Sequence, residues 1–344
     1  MKVSQLGEFG LIKAIKDIVE QSQHMASSSG QKILLGIGDD AAAWQSNQHI
    51  ALVTTDTLVQ DVHFDLKAVT WEELGWKALA VNLSDIAAMG GIPTYALLSL
   101  ALPPQLDVDD IIRFVRSMIY LANQFDVILI GGNTVAAPQV VINMTLIGYC
   151  KTNAMLRRTG ALPGEQISVT GYLGSSAAGL AMLKGKFIRD REASNFLRQA
   201  HLKPTPRIRE GQILLQQGVR TAIDISDGLL ADLEHICEAS GVSAKIRVDQ
   251  LPVHPVVKTN FPDFQQLALF GGEDYELLFT ADQETISRVR QSLACPITVI
   301  GEVTREISAQ RVMVIDDRGN ILRYEKGGWN HFRNAATTGK FTQP

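Results

Sequence analysis

Cysteine is scarce in this chain. Cys150, Cys237 and Cys295 are the three in 344 residues, far apart and in no CxxC pair. That weighs against a disulfide framework or a thiolate zinc centre, and the thiols read as buried or neutral groups of a reducing cytosol. Histidine is also sparse and unclustered, with seven residues, which argues against zinc and against a histidine-based iron site. Neither sign of charge dominates: the formal net charge is -4, so nothing points to a nucleic-acid surface or a basic membrane patch. Long apolar runs are missing. The most apolar stretch, 76–102, is interrupted by Asn82, Asp85, Gly90, Gly91 and Pro93 and is no membrane span. The N-terminus carries no signal-peptide core, so the expected location is the cytoplasm.

The common nucleotide and nucleophile signatures are absent too. There is no G-x-x-x-x-G-K-[ST], no dinucleotide G-x-G-x-x-G, no kinase HRD and DFG pair and no G-x-S-x-G elbow. GYLGSSAAG (171–179) follows a strand pattern and opens a helix pattern. It fits either a phosphate cradle at a helix N-terminus or tight strand–helix packing.

What is present is an alternation of periodicities. The spacing of apolar residues predicts helices over 9–21, 71–89, 108–125, 175–184, 206–217, 228–239 and 284–293. It predicts strands over 50–55, 95–101, 127–130, 140–149, 166–170, 221–225, 275–280 and 297–301, with a hairpin of 312–316 and 321–324 around DRGN. The class is mixed α/β or α+β. A polar Gly/Pro-containing stretch from Lys151 to Gly164 suggests two domains, 1–150 and 151–344.

The informative feature is a set of acidic or glycine turns: GIGDDAA (36–42), TTDT (54–57), NLSD (82–85), GGNT (131–134), DISDG (224–228) and GGEDYE (271–276). Each alone is more often a turn or a helix cap. Six together, most of them after apolar runs, are hard to assign to capping, and strands ending in Asp or Gly would bring them to the rim of a sheet. Clustered carboxylates repel unless cations lie between them. Short, stiff Asp oxygens suit Mg²⁺, a hard ion whose usual co-ligand is a polyphosphate. The expectation is therefore a magnesium-dependent phosphoryl transfer from ATP.

In order along the chain, GEFGLI, GIGDDAA, TTDTLVQDVHF, KALAVNLSDIAAMGG, GGNT, LRRTGALPGE, SSAAGLA, AIDISDGL and GGEDYEL resemble the thiamine-monophosphate kinase family of the aminoimidazole ribonucleotide synthetase superfamily. The resemblance implies a two-domain fold of α/β and α+β units, the N-terminal sheet pairing with a second copy in a homodimer and the C-terminal domain closing over the active site. It implies transfer of the γ-phosphoryl group of ATP to thiamine monophosphate by direct in-line attack, with several Mg²⁺ ions. It implies magnesium ligands at Asp40, Thr54, Thr55, Asp56, Asp85, Asn133, Asp224 and Asp227, with Asp39 behind them. ATP contacts are implied at Gly132, Asn133, Arg158 and Ser226, and thiamine contacts at His63, Glu273 and Trp329. A carboxylate such as Glu273 and an aromatic face such as Trp329 suit a cationic thiazolium. Two departures stand out: Asn133 where the family carries Asp, and no arginine near Ala136. ATP-dependent activation of a different acceptor, and a sensing module without turnover, remain open alternatives.

Overall fold

The computed structural model describes residues 10–14, 16–17, 33–46, 49–151, 154–305 and 311–324. Of the expected first helix, 10–14 and 16–17 are described and are helical; Trp329 lies outside the described residues.

The N-terminal sheet contains β1 (Ile33–Leu35), β2 (Ala42–Gln45), β3 (Ile50–Val59), β4 (Ile92–Leu102), β5 (Ile128–Ala136) and β6 (Val141–Cys150), in the order β1-β2-β3-β6-β4-β5. All pairs are antiparallel except β4 with β5. Strand β6 alternates strictly: Ile142, Met144 and Leu146 are buried while Asn143 and Thr145 are half-exposed, as expected of a sheet covered on one face. The cover is α1 (Trp71–Ala88) and α2 (Val108–Gln124).

Helix α1 starts at a capping box in which the Thr70 side chain accepts from the Glu73 N–H and the Glu73 carboxylate accepts from the Thr70 N–H. Leu79, Leu83 and Ile86 are fully buried on it, each contributing roughly 1.5–3 kcal/mol. It is buried nearly all round because it also faces the second half of the chain. Gly75 lies so close to α2 that a Cβ would come 2.1 Å from the Phe114 carbonyl oxygen, and one on Gly211 would come 2.0 Å from that of Ala87. These glycines set the approach of α2, and of the helix Ile208–Gln216, to α1.

The second sheet holds β7 (Gln166–Thr170), β8 (Thr221–Asp224), β9 (Ser243–Arg247), β10 (Leu277–Ala281), β11 (Ile297–Thr304), β12 (Val312–Ile315) and β13 (Ile321–Leu322), ordered β13-β12-β9-β11-β7-β10-β8. Strands β8 and β10 are buried at every residue. Around it lie α3 (Ser175–Leu183), α4 (Arg191–Leu202), α5 (Ile208–Gln216), α6 (Leu229–Ser240), α7 (Pro255–Asn260), α8 (Phe264–Phe270) and α9 (Gln283–Ser292).

The structure corrects several expectations. GGNT is no turn: Gly131 to Thr134 lie inside β5. A Cβ on Gly132 would sit 1.7 Å from the Leu98 carbonyl oxygen, so the glycine serves close strand pairing rather than chain reversal. TTDT lies in the body of β3 rather than where that strand ends, while NLSD lies within α1, as the helix expected over 71–89 places it. Strands β1, β2 and β9 and helices α4, α7 and α8 are additional. The strands, α7 and α8 are too short to show a period, whereas α4 runs 12 residues with Ala193, Leu197 and Leu202 on its buried face and is absent from the sequence expectations despite that period.

Candidate active site

Three segments that are distant in sequence deliver carboxylates to one point. Asp40 follows β1, Asp85 projects from the last turns of α1, and Asp224 ends β8 of the second sheet. An oxygen from each lies within 4.8 Å of the others. Thr54 of β3 donates its hydroxyl to Asp85 Oδ2 at 2.5 Å, and Ser84 donates to Asp224 Oδ2 at 2.6 Å. Arg158 Nη2 lies 2.5 Å from Asp40 Oδ1, and its backbone N–H faces the Asp39 carboxylate at 3.4 Å. The other Asp40 oxygen, Oδ2, is buried without a hydrogen-bond partner among the described residues.

The electrostatics follow from this crowding. Burial, then the charges of Asp56, Asp224 and Asp40, push the Asp85 carboxyl well above the usual range. Burial, then Asp40, pushes Asp224 up to about 7, against the hydroxyl of Ser84 and the charge of Arg158. Asp39 rises to about 6 through burial and the neighbouring Asp40. A hard divalent cation fits here: the donors are carboxylate and hydroxyl oxygens, their mutual repulsion calls for a cation, and a buried oxygen of Asp40 has no other partner among the described residues. Asp227, Asp232 and His235 form a second group whose donor atoms also lie within 4.8 Å of one another. Asp232 Oδ2 accepts from the backbone of Asp227 and Gly228.

Not every expected ligand faces this point. Along β3, Thr54 and Asp56 share the helix-covered face. Thr55 turns to the open face, where its hydroxyl donates to the Met144 carbonyl oxygen and meets Asn143 and Thr145. The register continues Thr57, Asn143, Ser99 and Asn133 in one row across β3, β6, β4 and β5. Asn133 is therefore also on the open face, and its Oδ1 accepts from the Thr134 N–H at 2.9 Å. A shallow depression lined by Leu98, Gly131, Gly132 and Asn133 flanks β5 rather than the aspartates.

The residues expected to hold the second substrate form another group. Glu273 Oε1 lies 3.0 Å from the ammonium of Lys77, a buried residue of α1, and Oε2 lies 3.4 Å from His201 Nδ1 of α4. Burial disfavours the Glu273 anion, but the Lys77 ammonium outweighs it and holds its carboxyl below the usual range. The imidazole of His201 is pushed down to about 3 by burial and Lys77, so it is neutral. His63 accepts the Val59 N–H at 2.9 Å through Nδ1 and lies within electrostatic reach of Glu273. Ser226 presents its carbonyl oxygen to the Glu273 N–H at 2.8 Å, which joins the DISDG and GGEDYE loops.

Lys77, Ser84 and His201 were absent from the sequence expectations. Lys77 had a signal, a lone cation in the apolar run KALAVNL, and Ser84 sits in NLSD. His201 had none. The Lys77 ammonium also revises the electrostatics expected of Glu273, whose charge is compensated within the protein. GYLGSSAAG holds no free anion cradle: the Gly174 and Ser176 N–H groups are taken by Asp274.

The AIR synthase related protein N-terminal domain model matches residues 38–150, and the C-terminal domain model matches 163–312. The chain is 37% identical over 335 residues to a thiamine-monophosphate kinase of Bacillus subtilis (95% of this chain, 100% of the relative). It is 40% identical over 335 residues to that of Salmonella typhimurium (95% and 98%). Among solved structures it is similar to one described as AaThiL complexed with AMPPCP and TMP, with 35% identity, a TM-score of 0.83, and coverage of 96% of this chain and 99% of that one.

Proposed function

This chain belongs to the thiamine-monophosphate kinase family, and we propose that it transfers the γ-phosphoryl group of ATP to the phosphate of thiamine monophosphate, giving thiamine diphosphate and ADP. The observation that carries the reading is the meeting of Asp40, Asp85 and Asp224 between the two sheets, with one Asp40 oxygen unpartnered. Phosphoryl transfer demands positioning and charge compensation more than covalent help from the protein, and no covalent nucleophile is assigned.

Asp40, Asp56, Asp85 and Asp224, with Thr54 and Asp227 adjoining, would hold magnesium, which would supply the positive charge that lets two anionic phosphates approach. The protein's own part is orientation. Thr54 and Ser84 fix the rotamers of Asp85 and Asp224 by donating to them. Arg158 holds Asp40 and places a guanidinium beside the site that suits a phosphate oxygen. Ser226, Gly132 and Asn133 are the further nucleotide contacts in this reading. Glu273 and His63 hold the thiamine end, with Lys77 and His201 fixing the Glu273 carboxylate. The acceptor phosphate is already an anion, so His63 is assigned binding rather than proton abstraction.

Assembly as a homodimer through the open face of the N-terminal sheet belongs to the same reading. Its support is the exposed apolar surface along β4 and β5, with Tyr95, Leu97, Ile128, Ile130 and Val135. Among the described residues no helix is long and apolar enough to cross a membrane, and a cytoplasmic location accords with that.

The deciding experiment is an ADP-release assay with Mg-ATP, with and without thiamine monophosphate. ADP formation dependent on thiamine monophosphate supports the reading. ADP formation with another phosphate acceptor, or binding of Mg-ATP without turnover, would replace it.

A further inference from the structure

Glu273 sits on a backbone that residues with a side chain rarely adopt. Its φ is +63°, and that of Tyr275 is +50°. Such conformations persist only where the surroundings over-determine them. The surroundings here are specific. The Glu273 N–H donates to the Ser226 carbonyl oxygen at 2.8 Å, and the Tyr275 N–H to that of Ile225 at 2.9 Å. Between the two, the side chain of Asp274 points the other way, into the C-terminal half. Its Oδ2 accepts the Gly174 N–H at 2.6 Å and its Oδ1 accepts the Ser176 N–H at 3.0 Å.

These bonds are not ordinary helix capping. The N-cap of α3 is Gly174, which has no side chain to offer, so the capping oxygens come from a loop 100 residues further along the chain. The contacts also close on themselves. Ser176, whose N–H binds Asp274, places its hydroxyl 3.0 Å from His201 Nδ1, and that nitrogen lies 3.4 Å from Glu273 Oε2. A path through Asp274, Ser176 and His201 thus returns to the residue adjacent to its start. A carboxylate suits the first link because both of its oxygens accept, whereas an amide would turn an NH₂ group toward one of the two N–H donors.

We propose that Asp274 is a positioning residue for the thiamine-phosphate substrate: it anchors the 271–276 loop on the first turn of α3 so that the Glu273 carboxylate is presented between Lys77 and His201. The proposal rests on the reading of Glu273 as a substrate-holding group. It differs from a purely structural role in a testable way, because the effect passes through one side chain.

The test uses the full chain and steady-state kinetics for both substrates, with thermal melting alongside. Asp274→Asn is expected to raise the KM for thiamine monophosphate about tenfold and to leave the KM for ATP within about twofold. Glu273→Gln is expected to raise the same KM, and the double variant to be no worse than Glu273→Gln alone, since groups acting through one another are non-additive. An unchanged KM for thiamine monophosphate in Asp274→Asn, parallel rises in both KM values, or multiplied effects in the double variant would overturn the proposal while leaving the Glu273 reading intact. An unchanged KM in Glu273→Gln would overturn that reading and the proposal with it. If Asp274→Asn does not fold, Asp274→Glu, with both oxygens on a stem one methylene longer, is judged by the same comparison.

Discussion

The hydroxyl of Ser84 donates to Oδ2 of Asp224 at 2.6 Å, although 140 positions separate the two residues. Both are buried, and the bond ties α1 to β8 of the second sheet. Its neighbour Asp85 accepts from Thr54 of the first sheet, so adjacent residues of one helix serve both halves of the site. Ser84→Ala leaves the Asp224 carboxylate buried without that donor, which costs about 1–3 kcal/mol. The variant should unfold at lower urea and need more free Mg²⁺ for half-maximal activity. A urea midpoint and a magnesium curve matching the parent would mean that the bond stabilises neither fold nor site.

Asp85→Asn should separate stability from activity. Burial and three neighbouring carboxylates oppose the Asp85 anion, and Asn removes the charge while keeping the shape. Without metal at pH 8, the melting temperature should rise by several degrees. Turnover should fall by at least about a hundredfold, because the proposed magnesium site would lose one of its carboxylates. A variant that melts lower than the parent in EDTA would contradict this account of the electrostatics.

How much of this was legible in the sequence can be judged from the same residues. The helices around Leu79 and Phe114 and the strand around Met144 were readable, because each has enough apolar positions to show a period. The residue types of the aspartate cluster pointed to a hard cation before any geometry was known. Which face each ligand takes was not readable. Thr54 and Thr55 are adjacent and alike, yet one meets Asp85 and the other Met144. Glycines misled at GGNT, since the close approach of β5 to β4 and a chain reversal demand the same residue. The ring of Asp274, Ser176 and His201 was invisible, because its bonds are long-range and two of its acceptors meet backbone N–H groups that carry no residue identity.

Magnesium should stabilise the protein more at high pH than at low. Burial and Asp40 raise the folded-state pKa of Asp224 from 3.8 to about 7, and Asp85 shifts in the same direction. Between about pH 4 and 7 the folded chain holds protons that the unfolded chain has lost, so metal-free stability falls as pH rises through that window. Mg²⁺ displaces those protons when it binds. The rise in melting temperature on adding saturating Mg²⁺ should therefore be small at pH 5.5 and larger at pH 8. Equal increments at both values would show that these carboxylates do not titrate in the folded protein.

Asn133 gives the sharpest test of assembly. Its amide oxygen can ligate Mg²⁺ but carries no charge. A unit charge near another is worth on the order of 4 kcal/mol at 4 Å and an effective dielectric of about 20. If roughly 1–2 kcal/mol of that survives solvation and the opposing phosphates, Asn133→Asp should lower the Mg²⁺ needed for half-maximal activity about tenfold. Within one chain, however, Asn133 stands in β5, three strand positions from Thr55 and Asp56 of β3. At about 4.8 Å per strand that is roughly 14 Å along the sheet, too far for one ion. Asn133 can reach this part of β3 only from a second copy joined through the open face, where it would meet Thr55, the neighbour of Asp56. Two inactive variants should then complement each other. Asp56→Ala mixed with Asn133→Arg under conditions of subunit exchange should restore up to about a quarter of the parent activity, because one site of each mixed dimer pairs an intact Asp56 with an intact Asn133. A mixture no more active than its components would place Asn133 outside the metal site of either copy, and its effect would then have to fall on the KM for ATP alone.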